Sequence, residues 1–158
     1  NLPHRRIAAL AAIIADGFRF GSAFSHVTNQ ADARNLFTTE ITGYWATHYT
    51  FGPSSAYVPR AFSPDSVTSL IINAVVPLLY AYGVYFGDDS KTAAAVELLQ
   101  SLPPENNSVT RIFTDQGIPC DDAFSSQALI QLRRAYCEPR KCLYCRIGHR
   151  ILASKAKP

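Results

Sequence analysis

The chain has 158 residues, 47% of them hydrophobic and 17% charged, a balance that excludes an intrinsically disordered chain and fits one soluble domain with its own buried core. Its net charge of +3 is unevenly spread: Gln131 to Pro158 holds eight basic residues against one acid, Glu138, a net of +7 that leaves −4 for the rest. A basic end on a mildly acidic body is the pattern of a face that meets phosphate or another acidic partner, or of a solvated helix face. No basic leader followed by an apolar stretch and a small-residue cleavage site opens the sequence, so the expected location is a reducing cytoplasm.

In chain order, "RRIAALAAIIADGF" places Ile7, Leu10, Ile14 and Phe18 at helical spacing, and an amphipathic helix is expected from about Pro3 to Gly17 with that row inward and alanines filling the same face. A short helix in "NQADARNLF" is capped near Asn29. "GYWATHYTFG" fits both the helical and the strand period, and is expected to be irregular or briefly extended. Its aromatic residues suit either a core corner or a base-stacking surface.

Ser63, Pro64 and Asp65 then open a long helix, because serine caps and proline is pre-organised for the first helical position. The run from Leu70 to Gly87 is apolar on nearly every side and long enough to span a bilayer. Asn73, Pro77 and Gly83, with Asp65, Ser66, Thr68 and Ser69 upstream, favour instead a central buried helix kinked at Pro77.

A capped helix follows in "DDSKTAAAVELLQSL", with Ala95, Leu98 and Leu99 inward and a stop at Pro103 and Pro104. Another lies in "ENNSVTRIFTDQ", ended by Gly117 and Pro119. Asp121 or Asp122 caps "DAFSSQALIQLRRAYC", and a basic helix from about Cys142 to Ser154 closes the chain. The expected fold is all-α: a single irregular helical bundle of about six or seven helices around a kinked central apolar helix, one domain over 1–158.

Three of the four cysteines fall within "CEPRKCLYCRIGH". Cys137, Cys142 and Cys145 have the spacing C-x4-C-x2-C, and a helix starting near Cys142 would put Cys142, Cys145 and His149 close to one stripe. Three thiolates and an imidazole are the donors of a structural zinc site, and Arg140, Lys141 and Arg146 would favour the thiolate form. With Cys120 as an alternative fourth ligand, the same thiols could hold an iron–sulfur cluster. Two readings need no cofactor: buried thiols at a helix junction, or a redox-active C-x-x-C pair.

"NLPHRRIAALAA", "SLIINAVVPLLYAYG", "SSQALIQL" and "YCEPRKCLYCRIGHRIL" resemble the C-terminal part of the bacterial domain-of-unknown-function family 2851, from near Asn1 to Leu152. The terminal pattern falls on Tyr136, Cys137, Cys142, Cys145, Ile147 and Gly148. The resemblance implies a longer parent with an N-terminal half, in keeping with a chain that starts at Asn1 and contains no methionine. It also implies that the three cysteines belong to the motif, while His149 and Cys120 stand outside it. The family carries no established activity.

The first functional expectation is a module that binds nucleic acid through Arg133, Arg134, Arg140, Lys141, Arg146 and Arg150. The alternative is a structural or protein-interaction domain that packs against the N-terminal half of the parent, its basic helix facing an acidic protein surface; a large exposed apolar patch would favour it. No membrane partner is expected. The sequence shows no G-x-S-x-G, H-E-x-x-H or phosphate-binding loop, and no complete catalytic constellation.

Overall fold

Ser63 starts the long helix as expected, its hydroxyl accepting the Ser66 amide at 3.2 Å with Pro64 in the first turn. A computed structural model describes residues 3–17, 20–59 and 61–154. The expected roles of Phe18, Lys155 and Lys157 lie outside the described residues. The helices are α1 (Pro3–Ala15), α2 (Phe20–Ser25), α3 (Gln30–Asn35), α4 (Pro64–Phe86), α5 (Asp89–Ser101), α6 (Ser108–Thr114), α7 (Ala123–Leu132) and α8 (Arg146–Ser154). Among the described residues there is no strand, so the all-α expectation holds.

The chain divides into two compact units, Asn1–Leu99 and Gln100–Pro158. In the first, α2 and α3 pack on α4, whose Ile71, Val75 and Leu79 are fully buried together with Ala33 of α3. Asn29 caps α3 by accepting the amides of Ala31 and Asp32 at 2.8 and 3.0 Å. "GYWATHYTFG" forms a short 3₁₀ turn, Gly43–Ala46, followed by irregular chain. Trp45 packs with Phe62 against Ala8, Ala9 and Ile41, a core corner for that one ring, whereas Tyr44 and Phe51 of the same stretch are exposed. Arg5 ties the same corner by donating to the carbonyls of Trp45 and Pro59.

Two expectations about buried faces are corrected. On α1, Ala8, Ala9 and Ile13 are buried, whereas Ile7, Leu10 and Ile14 point outward and Ile7 is 66% exposed. Small alanines let the helix backbone approach Ile41 and Trp45 closely, which turns the bulkier row to the opposite side. On α4, burial follows Val67, Ile71, Ile72, Val75, Val76, Leu79 and Gly83, but Leu78, Tyr80, Val84, Tyr85 and Phe86 are exposed. α4 is therefore half-packed rather than central and fully buried. It passes the length and composition test for a membrane span, which a soluble core helix also passes.

Pro77 acts on α4 by widening it. Its missing N–H cannot bond the Asn73 carbonyl, and residues Ile71–Val75 form a π-type turn in which the Val76 amide reaches back to Ile71. The helix ends at Gly87, which adopts φ +67°, and the Asp88 amide bonds the Gly83 carbonyl at 2.8 Å. A Cβ on Gly83 would stand 2.8 Å from the Asp88 carbonyl oxygen and the Thr92 amide, so only glycine permits this approach of α5.

The second unit is laced by buried hydroxyls. Ser126 of α7 is fully buried, accepts the Glu105 amide at 3.2 Å and donates to the Ala123 carbonyl at 2.9 Å. Thr110 donates to the Glu105 carbonyl at 2.9 Å while Asn107 and Thr110 form the capping box of α6. Of the two aspartates expected at the start of α7, Asp122 is the cap, accepting the Ser125 amide at 2.7 Å.

Candidate functional site in the cysteine-rich basic segment

Past Leu132, α7 continues as a π-type turn, Arg133–Cys137, in which the Glu138 amide bonds the Arg133 carbonyl at 2.9 Å. The chain then leaves the helix through a left-handed cap. The Lys141 amide bonds the Tyr136 carbonyl at 2.8 Å, the Arg140 amide bonds the Cys137 carbonyl at 3.1 Å, and Arg140 sits between at φ +55°. This is the Schellman arrangement with arginine in the place usually taken by glycine. The amides of Tyr144 and Cys145 return to the Lys141 carbonyl, both at 3.1 Å, and α8 begins only at Arg146. Cys142 therefore lies in a turn before the helix, not in its first turn as expected.

Gly148 explains its own place in the terminal motif. A Cβ there would overlap the backbone of Cys142, so the turn folds onto α8 only because position 148 has no side chain.

The cysteines go to different environments. All four are free; Cys145 is buried at 8% exposure, Cys137 and Cys142 are exposed, and Cys120 is half-buried. His149 is exposed. Among the described residues no three His, Cys, Asp or Glu side chains gather as a metal would need, so Cys137, Cys142, Cys145 and His149 are not brought together, nor is Cys120 added to them. Burial, and then the carboxylates of Asp121 and Asp122, push the Cys120 thiol above its ordinary value, which disfavours the thiolate a metal would take.

The basic residues are more uniform. Arg134, Arg140, Lys141, Arg146 and Arg150 are exposed, whereas Arg133 is half-buried and pairs with Glu138 at 3.3 Å. An open groove of about 600 Å³ is lined by Ala135, Tyr136, Lys141 and Tyr144. Chemically the segment offers fixed positive charge and apolar surface rather than an acid–base pair. The weight given to the cysteines left out Leu143 and Tyr144 and read Ile147 only as a motif position, yet all three are exposed. Their signal was the interleaving of basic and apolar residues in "RKCLYCRIGHRIL".

A family model described as Protein of unknown function (DUF2851) matches residues 1–108. The chain belongs to this family. No curated protein and no solved structure matches it. The DUF2851 match takes in the first compact unit and stops at Ser108, where α6 begins. In this DUF2851 member the cysteine-rich basic segment therefore lies beyond the matched residues.

Proposed function

We propose that this DUF2851 chain is a helical packing module, the C-terminal part of a bacterial parent protein, docked against an N-terminal half through apolar helix faces. The observation that carries this reading is the outward row Ile7, Leu10 and Ile14 on α1. The exposed end of α4 adds to it, where Tyr85 is 82% exposed and its ring meets that of Phe86 at 4.8 Å. Isolated exposed apolar side chains are ordinary, but an ordered row along a helix is the surface of an interface. The test is binding between this chain and the separately expressed preceding polypeptide of its parent. A complex weakened roughly tenfold or more by Ile7→Ser with Ile14→Ser is expected. Absence of a complex, or one indifferent to those substitutions, overturns the reading.

A second reading has its own support. Five exposed basic residues follow one another from Arg134 to Arg150, and no acid occurs after Glu138. The segment binds a polyanion, nucleic acid among the candidates, with Arg133 set apart by its pairing to Glu138. Retention of an oligonucleotide that falls steeply with salt supports it; no retention at low salt removes nucleic acid as the partner.

A further inference from the structure

We infer that the segment from Arg140 to Leu152 is a reversible anchor for an anionic lipid surface. The inference rests on the polyanion reading and names the class of anion; it departs from the expectation of no membrane partner.

The argument begins with the geometry of α8. A helix advances about 100° per residue, so residues four apart form rows along it. Cys145, just ahead of the helix, is buried, and Gly148 lies against the Cys142 backbone, which fixes the inner side. Arg146 and Arg150 form one row on the outer side, and Ile147 and Ile151 form the row next to it. Ile147 is 56% exposed, and Leu143 in the preceding turn is 72% exposed beside Tyr144 at 83%. The outer surface of α8 thus carries two parallel bands, one cationic and one apolar, and the exposed Arg140 and Lys141 add positive charge in the chain just before it.

Each candidate partner can be set against those bands. Nucleic acid phosphates would satisfy the arginines and leave Leu143 and Ile147 in water. A protein surface ordinarily mixes both charge signs, yet the 20 residues after Glu138 contain no acid to answer a partner's lysines. An anionic bilayer surface supplies both layers in the right order, phosphates above and acyl chains just below. The isoleucine band and Leu143 enter the acyl boundary, while the arginine stems lie along it and keep their guanidinium groups at the phosphates. The Tyr144 ring, apolar with a polar tip, belongs at that same level. α8 has nine residues, so the buried area is small and binding requires the electrostatic attraction of anionic headgroups.

The experiment is vesicle co-sedimentation of the whole chain. Phosphatidylcholine vesicles are compared with vesicles of phosphatidylcholine mixed with phosphatidylserine, and single-stranded oligonucleotide retention is measured on the same proteins. Two variants are used, Leu143→Ser with Ile147→Ser, and Arg146→Gln with Arg150→Gln. All four positions are exposed, so the helical circular dichroism signal and melting temperature should stay as in the parent, and only variants that pass that check are compared. Sedimentation with the anionic vesicles alone is expected. It should fall roughly tenfold or more in the Leu/Ile variant and about fivefold per arginine removed in the other. The Leu/Ile variant should leave any oligonucleotide retention unchanged. Equal binding to neutral vesicles, or anionic binding indifferent to the Leu/Ile variant, overturns the lipid anchor. Oligonucleotide retention without vesicle binding also overturns it while preserving the polyanion reading, and failure to bind either anion removes both.

Discussion

Gly148 rests against the backbone of Cys142 so closely that no side chain can stand between them. Gly148→Ala must push the Lys141–Cys145 turn off α8, an overpacking change of about 1–3 kcal/mol. The expected result is a lower melting temperature with faster proteolysis near residue 142. An unchanged stability would mean that the turn is not held against the helix.

The thiols should react in three classes. Cys137 and Cys142 are exposed and should modify first with a thiol reagent in native buffer. Cys120, with its raised thiol, should follow slowly, and buried Cys145 should react only on unfolding. Mass mapping of the modified sites gives the order. Protection of Cys137, Cys142 and Cys145 together, released by a chelator, would instead reveal a metal drawing them into one site.

Acid should weaken the second unit through Asp122. The Ser125 amide, bonded to this carboxylate at the start of α7, holds Asp122 below its ordinary value. A lowered carboxyl contributes stability that is present above the ordinary value and is lost as pH falls through the folded one. Asp122→Asn keeps a capping oxygen and removes the titration, so its stability should change less between neutral and acidic pH than that of the parent. Asp122→Ala should lose about 1 kcal/mol at neutral pH. Identical acid profiles for the Asn variant and the parent would refute the assignment.

His4→Phe should stabilise the first unit. The Nδ1 atom of His4 is buried and has no hydrogen-bond partner among the described residues, while its ring stacks at 6.1 Å on Trp45 and meets Phe51 edge-on at 5.7 Å. An aromatic ring without the orphaned nitrogen keeps both contacts and removes a desolvation penalty of about 1 kcal/mol or more. Chemical denaturation read through Trp45 would measure the gain, and a loss of stability would show that the nitrogen has a partner in solution.

Local chemistry was the legible part of this sequence. Caps at Asn29, Ser63 and Asp122 and the stop at Gly117 need only neighbouring residues, and each was readable from a few letters. Facing directions were less so. Ile7, Leu10 and Ile14 share a stripe that periodicity assigns to a core, but which stripe faces inward depends on Ile41, Trp45 and Phe62, far along the chain. The cysteines are a related case. Spacing states how far apart donors are along the chain, whereas the left-handed cap at Arg140 and the turn beneath Gly148 decide where their side chains go.

The widened turn ahead of Pro77 changes the phase of α4. Val67, Ile71, Val75, Leu79 and Gly83 are buried at every fourth residue. On an unbroken α-helix such a series would wind about 160° around the axis from first to last. A π-type turn absorbs roughly one residue of rotation, and the winding drops to about 60°. The five positions can then share one seam facing α2 and α3, and the aromatic end of the helix is left on the outside. A single-residue deletion inside 71–75 could thus close the wide turn into ordinary α-helix and leave the side chains beyond it facing as before, whereas the same deletion between Val76 and Leu79 would turn every later side chain by about a quarter of a revolution and exchange which residues meet water.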